Sequence, residues 1–308
     1  MKTVMTSPRA RTARILSRFA GQVPRLSVDR ARYFTRSFRT TEHLPLVVRW
    51  AKALAHVMEN IGVRILPDEL IVGRGGPEGR YGILYPELEG AYFGTAGSLL
   101  ESAEDMPHHF SAQDIAVIRD ELLPFWAGRT FRESLADAVP LHLRRLLYKD
   151  GDIYVPSFII HETATVRHSL QWVLDYGKVL QRGFCGIYQE AARRLDALDI
   201  NDPANNWDKA PFYRAVMILC EGIRSFACRY AALARQQAAS CGDAVRREEL
   251  ERIAAICEHV PWQPARTFHE ALQAQWFTQL VSRLEQLHGG IISNGRMDQY
   301  LYPFYRKD

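Results

Sequence analysis

The chain has 308 residues, with 39 Lys and Arg against 35 Asp and Glu, and is 47% hydrophobic and 24% charged. That suffices for one large globular domain or two ordinary ones, and it excludes disordered and collagen-like classes. No stretch approaches the roughly 18–20 consecutive apolar residues that span a bilayer, and five cysteines without a recurring spacing exclude a disulfide-dense scaffold.

Residues 1–50 carry 11 Lys and Arg opposed only by Asp29 and Glu42, a balance of +9 against −5 for the remainder. Met1 to about Pro24 is Arg-rich and acid-free. It reads as a basic N-terminus, poorly ordered or helical, ahead of one continuous unit over residues 25–308. The same composition fits a transit peptide or a nucleic-acid arm. Phe19 is the one aromatic residue among the basic ones, which argues against nucleic acid.

Thr41 to Asn60 places Leu46, Val47, Trp50, Leu54 and Val57 three and four apart, predicting an amphipathic helix. Leu70-Ile71-Val72 predicts a short strand or extended piece before Gly73. Gly73 to Ser98, rich in Gly, Tyr and Pro, predicts long irregular structure, a frequent carrier of function. Helices are expected over Asp114–Trp126 and Thr130–Leu147, separated by Gly128. Residues 151–161 read as extended, with Pro156 confining any strand to an edge. Asp175 is placed to cap a helix running to about Ala197, followed by helices over Pro211–Ala239 and Asp243–Glu258. Thr267 and Glu270 form a Thr-x-x-Glu capping box for a helix to about Leu287. Gly289-Gly290 ends it, and Ile291-Ile292-Ser293 begins a strand. The chain is therefore mainly α, and its few strands need partners for their backbone groups.

Familiar catalytic signatures are absent: no Gly-x-Gly-x-x-Gly, phosphate loop, Gly-x-Ser-x-Gly or His-Glu-x-x-His. Cys185, Cys220, Cys228, Cys241 and Cys257 form no metal or redox pattern, and an odd count without a secretory leader points to the reducing cytoplasm. Cys220 and Cys228 are expected to pack in helical cores. His108-His109 and the His161/His168 spacing name no complete ligand set. Arg167 stands four residues before Gln171: a guanidinium fork and a neutral amide, able to converge on one anion. Gly295 to Tyr305 puts four aromatics around Arg296 and Asp298, suggesting an aromatic wall in which that pair satisfies buried backbone.

Several blocks, in order, resemble the glycyl radical enzymes of the pyruvate formate-lyase-like superfamily. They are Arg30-Ala-Arg-Tyr-Phe34, Pro67-Asp-Glu-Leu-Ile-Val-Gly73, Tyr85-Pro-Glu87, Asp175-Tyr-Gly-Lys-Val-Leu180, Gly183-Phe-Cys-Gly-Ile187, Thr267-Phe-His-Glu-Ala-Leu-Gln273 and Gly295 through Tyr305. The resemblance implies the N-terminal portion of a ten-stranded α/β barrel, incomplete in this chain. The family's chemistry uses a glycyl radical, installed by a separate radical SAM activating enzyme, and a cysteine in a Cys-x-Glu setting. None of the five cysteines has Glu two places on, and no glycine lies in a radical-loop context. The resemblance therefore implies a fragment or truncated gene, or missing parts on another chain, with no lyase activity of its own and no cofactor bound. Gly177, where many members have Glu, and His288-Gly289-Gly290 depart from the usual pattern.

Arg167 and Gln171 resemble the pair that holds a sulfonate in the family's C–S lyases acting on isethionate. That reaction removes hydrogen from the hydroxyl-bearing carbon, then eliminates sulfite to leave acetaldehyde. The implied partners are a small anionic sulfonate, the activating enzyme and a second copy in a homodimer. The implied location is the cytoplasm, including bacterial microcompartments; neither membrane nor nucleic acid is expected. The alternatives are a glycyl radical dehydratase or lyase for another small polar substrate, such as dihydroxypropanesulfonate, and a non-catalytic scaffold.

Overall fold

The computed structural model describes residues 8–23, 25–74, 76, 79–87, 111–142, 172–199, 201–285 and 292–308. Within them the chain is mainly helical. The helices are α1 (Pro8–Phe19), α2 (Asp29–Thr40), α3 (Leu46–Asn60), α4 (Ala112–Val117), α5 (Leu123–Trp126), α6 (Phe131–Ala138), α7 (Tyr176–Asp196), α8 (Ala210–Ser240), α9 (Ala244–His259), α10 (Phe268–Glu285), α11 (Met297–Tyr300) and α12 (Tyr302–Lys307). Four short strands form two parallel pairs: β1 (Arg25–Ser27) with β2 (Tyr81–Ile83), and β3 (Trp172–Val173) with β4 (Ile292–Ser293). Of the expected strands, the one beginning near Ile291 appears as β4, none forms over residues 70–72, and residues 151–161 lie outside the described residues; β1 and β3 were not expected, and β2 lies inside the stretch read as irregular.

Local chemistry sets the helix starts. The Asp175 carboxylate accepts from Lys178 N at 3.0 Å, and Asp243 accepts from Val245 N at 2.9 Å, both typical N-caps. Ser111 and Asp114 make a reciprocal capping box that starts α4, which runs through a π turn over Ile118–Leu122 into α5. Thr130 and Glu133 make the same box for α6, at 3.2 and 3.1 Å. Thr267 accepts from Glu270 N at 3.2 Å. The Glu270 carboxylate, however, turns to Arg266, whose guanidinium lies 2.6 Å away, so only half of that expected box forms.

Around the long helix α8 pack α3, α7 and α9. Small residues permit the α3 contact: a Cβ on Gly222 would stand 2.8 Å from Met58 Cε and 3.0 Å from Ala55 Cα. The buried stripe of α3 is Val48, Ala51, Leu54, Ala55, Val57 and Met58. Leu46 and Val47 are exposed, a correction to the expected face. Alanines complete the stripe, and Pro45 starts the helix later than Thr41. Phe34 and Phe38 stack at 4.8 Å, against Trp50 and Trp126, and the buried Trp126 indole donates to Thr35 at 2.8 Å.

Residues 70–72 form no strand; the chain bends at Leu70 and Ile71. A side chain replaces the neighbouring strand: Gln273 accepts from Val72 N at 2.8 Å and donates to Val72 O at 2.6 Å. Two residues on, the Tyr230 hydroxyl accepts from Arg74 N at 2.6 Å and donates to Arg74 O at 2.7 Å.

A buried ion pair joins two blocks of the sequence. Arg30 and Glu87 stand 2.5 Å apart with side chains 1% exposed. The guanidinium lies 4.2 Å from the Phe34 ring and 4.4 Å from Tyr85, and its Nε donates to Leu284 O at 2.8 Å. Burial raises the Glu87 carboxyl above its ordinary value, and the Arg30 charge opposes only part of that rise.

The basic opening is helical over α1, and its arginines turn onto the protein. Arg14 and Arg18 reach Asp68 at 2.6 and 2.8 Å, and Arg11 pairs with Glu249. The Arg14 hydrogen bond, larger than the opposing burial, holds the Asp68 carboxyl below its ordinary value. A depressed folded value means that this contribution is present above the unfolded pKa of about 4 and is lost as pH falls through the folded value. Protection of the α1 amides against hydrogen exchange, relative to the intrinsic rate at each pH, is therefore expected to fall in acid. Asp68→Asn should lower that protection at neutral pH; unchanged protection would show that α1 is held by other contacts.

Candidate functional site

The segment carrying Arg167 and Gln171 runs directly into β3, whose Trp172 and Val173 pair with Ile292 and Ser293 of β4. Past β3, Asp175 starts α7. Past β4, Asn294 leads to α11. Behind both strands lies α10. Its buried Gln275 amide donates to Asn294 Oδ1 at 2.9 Å and to Gln279 Oε1 at 3.2 Å, and Gln279 donates to Ile292 O at 3.4 Å. The Tyr300 hydroxyl donates to Asn294 O at 2.8 Å. Asn294 is thus gripped on its side chain and on its backbone, and the strand pair becomes a fixed base.

Two phenols pack on this base. Tyr176 and Tyr300 lie with ring centroids 5.3 Å apart. Burial pushes the Tyr300 hydroxyl up to about 12, with Tyr176 adding a smaller push. Burial also raises Tyr176, opposed by the Gln275 amide. Both phenols are neutral at physiological pH, able to donate a proton in a hydrogen bond and unsuited to act as bases. The buried Tyr176 hydroxyl makes no hydrogen bond of ordinary geometry. Since an unsatisfied buried hydroxyl is unfavourable, Tyr176→Phe is expected to raise stability by up to about 1 kcal/mol. A lowered urea midpoint would show that the hydroxyl has a partner after all.

Arg167 and Gln171 lie outside the described residues, as do His108, His109, His161 and His168. The described residues fix where their segment ends, at Trp172, one residue after Gln171. The Gly295–Tyr305 block is a wall on one face only. Met297, Tyr300 and Phe304 pack on the cluster holding Leu180, Val260, Ala271 and Leu301, a spacing of three and four that turns the residues between them outward. Arg296 and Asp298 are therefore exposed and pair with each other at 2.7 Å, and Tyr302 and Tyr305 are exposed too. This corrects the expectation of a buried pair within four buried aromatics.

The sequence reading missed Gln275, Asn294 and Tyr176. Its available signal was the polar interruption of α10, where Glu270, Gln273, Gln275 and Thr278 all sit on buried positions.

Cys220 is buried, and burial pushes its thiol up to about 12; Cys257 is raised for the same reason. Cys228 is exposed, correcting its assignment to the core: on α8 it sits between the buried positions Ala227 and Tyr230 but faces outward. No Glu stands two residues after any of the five cysteines. Among the described residues no group of three His, Cys, Asp or Glu could hold a metal, and no helix is long and apolar enough to cross a membrane.

Comparison with known proteins places this arrangement. The chain is 49% identical to isethionate sulfite-lyase of Nitratidesulfovibrio vulgaris, over 96% of this chain and 36% of that protein. It is 26% identical to (2S)-3-sulfopropanediol dehydratase of Klebsiella oxytoca, over 98% of this chain and 36% of the relative. The chain thus spans little more than a third of the length of these relatives. Among solved structures, the glycerol-bound B12-independent glycerol dehydratase of Clostridium butyricum superposes with a TM-score of 0.87 at 30% identity. That match covers 100% of this chain and 38% of the other. A partial barrel accounts for both the short coverage and the two isolated strand pairs. The family described as pyruvate formate lyase-like matches residues 5–308, and the chain belongs to it.

Proposed function

We propose that this chain is the N-terminal portion of a glycyl radical C–S lyase that cleaves isethionate to sulfite and acetaldehyde. One observation carries the reading: the 49% identity to isethionate sulfite-lyase, against 26% to the sulfopropanediol dehydratase. The Arg167 guanidinium and the Gln171 amide hold the sulfonate, whose three oxygens accept from a planar fork and a neutral donor. The strand pair β3–β4 holds the end of their segment still. The thiyl cysteine and radical glycine belong to the remaining two thirds of the relatives' length, and a radical SAM enzyme installs the radical. The complete enzyme works as a homodimer in the cytoplasm or a microcompartment.

The test joins residues 25–308 in frame to the remainder of an isethionate lyase relative, activates the product anaerobically and measures sulfite. Sulfite and acetaldehyde are expected. Combining Arg167→Ala with Gln171→Ala removes charge-assisted bonds worth about 1.5–3 kcal/mol each and should slow release by roughly a hundredfold or more. Unchanged turnover in that double variant would remove the sulfonate assignment. A dehydrated product that keeps its sulfur would instead favour the dehydratase branch.

A further inference from the structure

We propose that the cleft between α1, residues 71–74, β2 and α10 binds a small organic anion with a flat apolar body and more than one oxyanion group. The cleft has a volume of about 750 Å³, within the range of small-molecule sites. It does not coincide with the β3–β4 base. Trp276, Leu280 and Arg283 of α10 line it, whereas Gln275 and Gln279, each one residue or about 100° before Trp276 and Leu280, hold Asn294 and Ile292. The inference is therefore independent of the sulfonate reading.

Its charge is lopsided. Arg74, Arg80 and Arg283 line the cleft, with Glu69 as the one carboxylate among the described residues. Glu69 is engaged by the protein: it accepts from Leu66 N at 2.8 Å and lies 3.9 Å from Arg74. Burial raises its carboxyl, the largest of the influences on it, and Arg74 and Arg246 oppose that rise. Arg74 is braced. It donates to Gly79 O at 2.5 Å and sits 4.9 Å over the Phe19 ring and 5.8 Å over Tyr81, and its buried Nε has no hydrogen-bond partner. The exposed Arg80 and Arg283 make no side-chain ion pair among the described residues. Two guanidiniums without an ion pair among the described residues, beside a third that is half-committed, suit a ligand with at least two negative charges.

The remaining wall is flat and apolar. Trp276 is fixed by its indole donating to Gly73 O at 3.0 Å, and the Tyr85 hydroxyl is tied to Arg283 O. The half-buried Trp276 ring offers a face on which a planar ligand stacks while the arginines take its oxyanions, and the buried Tyr85 backs the wall.

Calorimetry on the whole chain tests this with three probes: trimesate as an aromatic carboxylate, ADP as an aromatic phosphate, and inorganic pyrophosphate as charge alone. Trimesate or ADP is expected to bind with Kd below about 1 mM and more tightly than pyrophosphate. Trimesate binding best identifies a carboxylate ligand; ADP binding best, a phosphate. Arg80→Ala with Arg283→Ala should weaken binding at least tenfold with an unchanged circular dichroism spectrum. Arg80→Glu alone, at an exposed position, should reproduce the loss should the double variant misfold. Failure of both aromatic probes to bind, equal affinity for pyrophosphate, or undiminished binding by the variants would overturn the proposal.

Discussion

Glu87→Ala is expected to destabilise the fold by about 3–5 kcal/mol, the usual result of stranding one member of a buried ion pair. Arg30 is fully buried, and Glu87 is the carboxylate facing it at 2.5 Å. The remaining contacts of the guanidinium are one carbonyl, Leu284 O, and two ring faces, and none of these neutralises its charge. Against a typical total of about 5–15 kcal/mol, such a loss leaves the chain marginal, visible as a lower urea midpoint and poor soluble yield. Arg30→Met combined with Glu87→Leu removes both charges and fills similar volume, and should recover most of the loss. A single variant within about 1 kcal/mol of the unsubstituted chain would mean that the pair is dispensable.

Gly183→Ala should be at least as damaging. Gly183 interrupts α7 with φ +64° and ψ 170°, a region essentially confined to glycine. An added Cβ would stand 2.2 Å from Trp262 O and 2.6 Å from Gln263 C, both backbone atoms. The loop they belong to is tied to the broken helix, with Phe184 N donating to Pro261 O and Cys185 N to Trp262 O, each at 2.9 Å. Backbone strain and a backbone clash add, and a loss of roughly 4 kcal/mol or more is expected. Gly177 is the control. It lies in the first turn of the same helix, and an added Cβ would come no closer than 3.7 Å to Asp175 Oδ1. Gly177→Ala should be neutral or stabilising by up to about 1 kcal/mol. Equal effects at the two positions would contradict this account of the break.

What could be read in the sequence follows the range of the forces involved. The helices after Asp175, Pro211, Asp243 and Thr267 were placed to within a few residues, because caps and apolar spacing act within a turn or two. The break at Gly183 depends on a loop about eighty residues later, and the anchoring of Val72 depends on Gln273; neither has a local signature. The aromatic block misled because its polar members look buried until the three-and-four spacing of Met297, Tyr300 and Phe304 assigns the inner face. The motif blocks were informative for a reason now visible: Arg30, Tyr85 and Glu87, distant in sequence, form one buried cluster. Of the candidate site, the strand at Ile292 is legible in the sequence, while its partner at Trp172 and the amide and phenol network behind them are not, since a two-residue strand and buried polar residues on a helix give little pattern of their own.

The amide clasp of Gln273 on Val72 and the hydroxyl clasp of Tyr230 on Arg74 have a joint consequence. A strand held by another strand can slip two residues and regain its ladder. A strand held by two side chains at fixed points has no second position to fall into, because the next amide and the next hydroxyl do not exist. Residues 72–74 therefore act as a latch between α8 and α10: neither helix can slide along its axis without releasing it, and the edge of the arginine-lined cleft is set by the same latch.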